Sequence, residues 1–248
     1  MSVQTLLQGH TATVIFSHPP VNALPSDVLT DLEMHVKASG ENPDIKAIVL
    51  ASEGSTFCAG ASFDELISLR DFKEAKAFFM GFARVISAMI SAPKPVIARV
   101  QGKTVGGGNG LVAAADLAVA TEDAAFKLSE LRIGIGPYVI APAIIRKTGM
   151  AVFQQMSWQP WRWFSAFDMK KAGMLTYVTE SVKSMDETIE EIVSPYENYD
   201  AEAIAMLKKE TWQDTLHWKK LLEKQAEKSA SLLLRESTKR ILNRLKKK

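Results

Sequence analysis

The sequence holds a single cysteine, Cys58, in 248 residues. One thiol excludes an intrachain disulfide framework and any zinc site built from several cysteines. It suits a reducing compartment. Charge of one sign is missing too: 30 Lys+Arg stand against 28 Asp+Glu, a formal net charge of +2. That balance excludes a surface tuned as a whole to nucleic acid or anionic membrane. No apolar run reaches the roughly 18 residues of a membrane span. The opening MSVQTLLQGH has neither the basic start nor the apolar stretch of a secretory leader. The expected location is cytoplasmic. The four histidines, His10, His18, His35 and His217, show no metal-ligand spacing. No internal repeat of about 20–50 residues is present. What the chain does have is an ordinary apolar fraction, 47%, and a length that buries roughly three quarters of its extended surface.

The first half alternates strands and helices. Ala12 to Ser17 is a short β-branched run ended by Pro19-Pro20. Ser26 is a candidate N-cap for a helix carrying Val28, Leu29, Leu32 and Val36 at helical spacing. Ala47 to Ala51 reads as a strand buried on both faces. Ser52 to Ser62 reads as a loop, Phe72 to Ser91 as a long helix, and Pro95 to Val100 as another buried strand. After Gly102 to Gly110, rich in glycine, a helix starts near Leu111. Leu117 to Ala120 and Ala125 to Leu128 are further short strands. Beyond Gly149 helices follow one another, with one strand at Leu175 to Val178. The fold class is α/β, with right-handed crossovers and parallel pairing. An α/β core over residues 1–190 precedes a helical C-terminal region over residues 191–248.

Three segments offer chemistry. Val105-Gly106-Gly107-Gly108-Asn109-Gly110-Leu111 fits neither the G-x-G-x-x-G dinucleotide spacing nor a P-loop, which ends in Gly-Lys-Ser/Thr. Either it presents free helix N-terminal N–H groups to a ligand oxygen, or its glycines serve close packing. Phe57-Cys58-Ala59-Gly60-Ala61-Ser62 is a second small-residue loop after a strand. Two such loops can give two N–H donors to one oxygen and stabilise a thioester enolate. In the third segment Glu130 lies among apolar neighbours. It is either an acid or base poised near neutrality, or a surface group paired with Arg132. Cys58 reads as a small buried hydrophobe. Trp158, Trp161, Trp163, Phe164 and Phe167 read as core or subunit-contact packing, or as an acyl-pocket lining. Trp212 and Trp218 read as anchors of the C-terminal helices.

In order and spacing these segments resemble the crotonase (enoyl-CoA hydratase/isomerase) superfamily. The marks are Pro20-Val21-Asn22-Ala23-Leu24, Phe57 to Ala61, Ile97 to Gly102, Gly106-Gly107-Gly108, Asp116 to Ala120, Phe126, Glu130 and Gly134. The resemblance implies a crotonase-like spiral of β-β-α turns with a helical C-terminal region that helps close the site. It implies a homotrimer or a dimer of trimers, and an acyl-CoA thioester substrate. It implies an oxyanion hole from the N–H groups of Ala61 and Gly107, and coenzyme A contacts at Ala59 and Gly60. No separate cofactor is implied, because coenzyme A is part of the substrate. No metal, nucleic acid or membrane partner is implied either.

The departures from the family pattern bear on function. Glu130 matches the second of the two glutamates usual in hydratases, and the first falls at Gly110. Tyr138, eight residues after Glu130, either hydrogen-bonds water or substrate or narrows the pocket. Family bases are replaced by Val21 and Asp64. The stretch Ser129-Glu130 to Pro142 resembles the bacterial methylglutaconyl-CoA hydratase-like branch. The expected activity is enoyl-CoA hydration, on a branched or carboxylated substrate. The alternatives are a 3,2-enoyl-CoA isomerase or decarboxylase using one carboxylate, and a non-catalytic coenzyme A- or polyanion-binding protein. Finally, Lys239, Arg240, Arg244, Lys246, Lys247 and Lys248 make a basic tail without an acid. It is a solvated helix end, a source of the missing cation for coenzyme A phosphates through Lys239, Arg240 or Arg244, or a polyanion contact.

Overall fold

The computed structural model describes residues 2–246; Met1, Lys247 and Lys248, the last two from the basic tail, lie outside them. The chain opens with a hairpin, β1 (Val3–Gln8) against β2 (Thr11–Phe16), turning at Gly9 with φ 53°. Periodicity alone gives no strand over β1, because Leu6 and Leu7 are adjacent and both exposed. β3 (Ala23–Leu24) leads to α1 (Ser26–Glu41). The N-cap of α1 is Pro25, not Ser26, and it carries no side-chain cap. Ser26 sits inside the first turn, where its N–H and hydroxyl both donate to the Glu65 carboxylate.

β4 (Ala47–Ser52) is buried along its whole length, as expected of a parallel strand covered on both faces. It is followed by β5 (Thr56–Cys58), β6 (Gly60–Ala61), α2 (Phe63–Ser68) and α3 (Phe72–Ser91). The segment expected as loop from Ser52 to Ser62 thus contains two strands. They are too short for a readable period. The Asp71 carboxylate caps α3 by accepting from the Glu74 N–H. That cap and the apolar face fix both ends of α3 where the sequence places them.

β7 (Val96–Val100), β8 (Lys103–Val105) and α4 (Gly107–Ala114) come next, so α4 starts at the second glycine rather than near Leu111. β9 (Leu117–Thr121) and β10 (Ala125–Lys127) precede a 3₁₀ turn over Glu130–Ile133 and α5 (Ala141–Trp158). Then follow β11 (Phe164–Ser165), α6 (Ala166–Lys171), β12 (Tyr177–Thr179), α7 (Val182–Val193), α8 (Ala201–Thr211), α9 (Trp218–Leu233) and α10 (Glu236–Lys246).

The strands alternate between sheets. The large sheet runs β1-β2-β4-β7-β9-β12, parallel except for the β1–β2 hairpin, and the smaller one runs β11-β10-β8-β5. The pairs β4/β5, β7/β8 and β9/β10 each send one strand to the large sheet and the next to the small one, which makes the fold a spiral, and β3 pairs with β6 in a separate ladder. α7 lays Met185, Ile189 and Val193 on Val49, Ile97 and Val119 of the large sheet. Residue 190, the expected end of the core, therefore falls inside a helix of the sheet's own layer.

Trp212 and Trp218 are buried and meet edge to face at 6.2 Å. Trp212 Nε1 donates to Asp116 Oδ1 at 2.7 Å, and Lys208 pairs with Asp116 Oδ2. Burial pulls the Lys208 ammonium below its ordinary range, and Asp116 opposes that pull. Of the other aromatic cluster only Phe164 is buried; Trp158, Trp161, Trp163 and Phe167 are exposed, so they are not core. Among the described residues no helix is long and apolar enough to cross a membrane.

Candidate active site

Two backbone bends and one carboxylate converge where β5, β8 and β10 end. Gly60 has φ 88°, in the region glycine favours. A Cβ built there would stand 3.0 Å from Val105 O and 3.4 Å from Gly107 N, so the two loops touch backbone to backbone. Ser62 N–H donates to Leu24 O at 2.9 Å within the β3–β6 ladder. Successive N–H groups of a strand point to opposite sides, so the Ala61 N–H faces away from that ladder. Gly107 opens α4, and a first-turn N–H has no intrahelical acceptor. Its Cα is pressed against the Phe82 ring, which a Cβ would meet at 2.3 Å.

Glu130 begins the 3₁₀ turn three residues after β10. Its Oε1 lies 3.0 Å from where a Gly106 Cβ would stand. The residue as a whole is half-buried, but Oε2 is fully buried and has no hydrogen-bond partner. Burial pushes the carboxyl up to about 7, and backbone N–H groups of Glu130 and Ser129 only partly oppose it. Among the described residues Glu130 forms no salt bridge, so the pairing with Arg132 is not made. A carboxyl in this state exchanges a proton near neutral pH.

At Gly110 the chain offers no second acid. A Cβ at Gly110 would lie 2.3 Å from Ile140 Cγ2 and 3.4 Å from Ile86 Cδ1, so Ile140 fills the place of a side chain there. Nothing in the sequence signals this, because Ile140 is 30 residues away. Tyr138 sits in the turn after Glu130, its ring folded over Gly136; a Cβ on Gly136 would meet Tyr138 Cε2 at 2.6 Å. The Lys228 ammonium is 5.9 Å from the centre of that ring. Cys58 is fully buried, its thiol is pushed up to about 12 by burial, and its Sγ accepts from Gly60 N–H at 3.3 Å. It is a packing residue, as read.

The coenzyme A candidates divide. Ala59 and Gly60 form the bend itself, with Ala59 N–H donating to Val21 O and Asn22 O at 3.1 Å each. Lys239 lines a groove between α2 and α10, together with Arg70, a cation the sequence reading missed. Arg240 is exposed and its Nε donates to Glu236 O of its own helix at 3.3 Å, so it is not brought to that groove. The tail cation beside the family's lost base is instead Lys246, 3.1 Å from Asp64 Oδ1. α10 is fixed over the Glu130 turn by Thr238 Oγ1, which donates to Gly134 O at 3.1 Å.

The enoyl-CoA hydratase/isomerase family matches residues 8–239. The chain is 40% identical over 121 residues to a (7aS)-7a-methyl-1,5-dioxo-2,3,5,6,7,7a-hexahydro-1H-indene-carboxyl-CoA hydrolase from Mycobacterium tuberculosis, 49% of each chain. It thus spans about half the length of that curated relative. It is 27% identical over 184 residues to a peroxisomal Delta(3,5)-Delta(2,4)-dienoyl-CoA isomerase from Arabidopsis thaliana, covering 68% of this chain and 65% of the relative. The crystal structure of an enoyl-CoA hydratase from Mycobacterium avium superposes with a TM-score of 0.86 at 27% identity, over 100% of this chain and 97% of the other. With the match over residues 8–239 and the shared spiral, this chain belongs to the enoyl-CoA hydratase/isomerase family.

Proposed function

We propose that the chain is an acyl-CoA enzyme that works through a thioester enolate with one carboxylate, and that its reaction is 3,2-enoyl-CoA isomerisation. The observation that carries this reading is the pair of contrasting places on one wall. Glu130 Oε2 is buried without a hydrogen-bond partner, while the position of a second glutamate, Gly110, is filled by Ile140. A hydratase needs a second group to hold the attacking water, whereas an allylic proton shift needs one base used twice.

In the proposed cycle the thioester oxygen lies between the Ala61 and Gly107 N–H groups. Ionised Glu130 takes a proton from C2 of a 3-enoyl thioester. The C–H electron pair moves into the C1–C2 bond, and negative charge develops on the oxygen held by the two donors. Protonated Glu130 then returns the proton to C4. The double bond ends at C2–C3, and Glu130 is ionised again. A carboxyl at about 7 suits both halves of this transfer. Coenzyme A enters and leaves as part of the substrate, and the cycle consumes no cofactor. Lys239 and Arg70, which line one groove, are the cations we assign to its phosphates.

Hydration is the second reading, favoured by Tyr138, a phenol in the turn after Glu130. One experiment separates the two. The purified protein is offered 3-enoyl and 2-enoyl thioesters of matched chain length. Isomerisation creates the conjugated enoyl-thioester absorbance and hydration removes it. The expected result is faster turnover of the 3-enoyl thioester; faster loss of the 2-enoyl absorbance contradicts it.

A further inference from the structure

The geometry points to Asn109 as a positioning residue that aims the oxyanion donor and ties it to the base. This inference rests on the roles given above to the Gly107 N–H and Glu130.

Asn109 is completely buried in the first turn of α4. Its Nδ2 lies 3.0 Å from Lys127 O, 3.2 Å from Gly106 O and 3.3 Å from Thr104 O. Its Oδ1 is buried and has no donor. The three carbonyls alone therefore set the amide's orientation, since a flipped amide would put its oxygen against three others. The backbone N–H of Asn109 also donates to Gly106 O, at 2.9 Å. One residue thus supplies two donors to the Gly106 carbonyl and holds it on the protein side of the turn.

That constraint passes directly to the donor. In a planar trans peptide the carbonyl of Gly106 and the N–H of Gly107 point in opposite directions. Holding the first inward turns the second outward. Gly106 adopts φ 53° and ψ −120°, a conformation the helix itself does not impose. The third link reaches the base. Lys127 O also accepts from Gly106 N–H at 2.9 Å, and Lys127 ends the strand that delivers Glu130 three residues later. A single carboxamide therefore joins the strand before the turn, the turn itself and the strand of the base. An apolar side chain of the same size would fill the space and hold none of these carbonyls.

The test uses Asn109→Leu, which keeps the branched shape with bulkier ends and removes the donors, and Asn109→Ser, which keeps one donor. Two readouts are taken. One is the infrared carbonyl stretch of a bound, unreactive acyl-CoA thioester labelled with carbon-13 at C1. The other is the split between kcat and KM for the preferred substrate. In the unaltered protein the stretch is expected to fall on binding. In Asn109→Leu most of that fall is expected to vanish and kcat to drop about 100-fold, with KM within about threefold; Asn109→Ser should lie between. A folded Asn109→Leu protein that keeps the shift and kcat overturns the role of Asn109 and leaves the oxyanion reading intact. A rise in KM with kcat unchanged also overturns it, as does failure of both variants to fold, which would make the side chain a core support only. Absence of any shift in the unaltered protein overturns the oxyanion reading itself and this inference with it.

Discussion

Around Glu130 the spiral packs on bare glycines: Gly60 against the backbone of Val105 and Gly107, Gly106 against the Glu130 carboxylate, and Gly107 against the Phe82 ring. The helices after Ser194 attach through polar side-chain contacts: Trp212 and Lys208 on Asp116, Thr238 on the Gly134 carbonyl, Lys246 on Asp64. The two modes have different tolerances. A backbone cradle has no side chain to shorten, and any added carbon collides. A side-chain attachment is lost by truncation, at an energy set by how deeply it is buried. Lys208, Trp212 and Thr238 are buried and the Lys246 pair is exposed, and their expected contributions differ accordingly.

The steepest break in that comparison is Trp212→Ala. It removes a buried indole and the donor to Asp116, and should lower stability by about 3–5 kcal/mol, measured by denaturant unfolding. Next is Gly107→Ala, whose methyl would collide with the Phe82 ring. Displacing the donor should lower kcat by about 100-fold or more, while thioester binding, followed by calorimetry, changes less. A loss confined to KM would mean that Gly107 serves packing alone.

The third effect is a pH dependence. The Glu130 carboxyl stands at about 7 in the folded chain against an ordinary 4.5. Between those values the folded state holds a proton that the unfolded state has released. Stability therefore falls as pH climbs through that window and stays lost above it. Relative to Glu130→Gln, the unaltered protein should lose about 3 kcal/mol between pH 4.5 and 7.5, read from unfolding curves at several pH values. The smallest effect is expected of Lys246→Ala. Its ion pair with Asp64 is exposed on both sides, so stability should change by less than about 1 kcal/mol, and less still at high salt.

The same contrast marks what the sequence made legible. β4, β7 and β9 announce themselves as apolar runs, and α3 by its cap and periodic face. β5, β6 and β8 hold two or three residues each, set among glycines, so the short strands that carry the site have no readable period. Glu130 was visible as an acid among apolar neighbours in sequence, although the bend its carboxylate faces, at Gly106, is distant along the chain. The occupant of the space beside Gly110 was not, because Ile140 reaches it through the fold. Ser26 misled for a related reason: a good capping residue has a stronger partner in Glu65, 39 residues away. In the aromatic run around Pro160, composition does not tell which members are core: Phe164 is buried and the tryptophans face outward.

The claim that most needs testing is that Glu130 is the base for the carbon proton. Solvent deuterium uptake at C2 and C4 of a 3-enoyl-CoA thioester, followed by mass spectrometry in heavy water, tests it without assuming the product. The unaltered protein is expected to exchange both positions, with a rate that rises as pH passes about 7 and the carboxylate forms. Glu130→Gln should exchange them at least about 100-fold more slowly. Exchange in that variant within tenfold of the unaltered rate would contradict the account and place the base elsewhere.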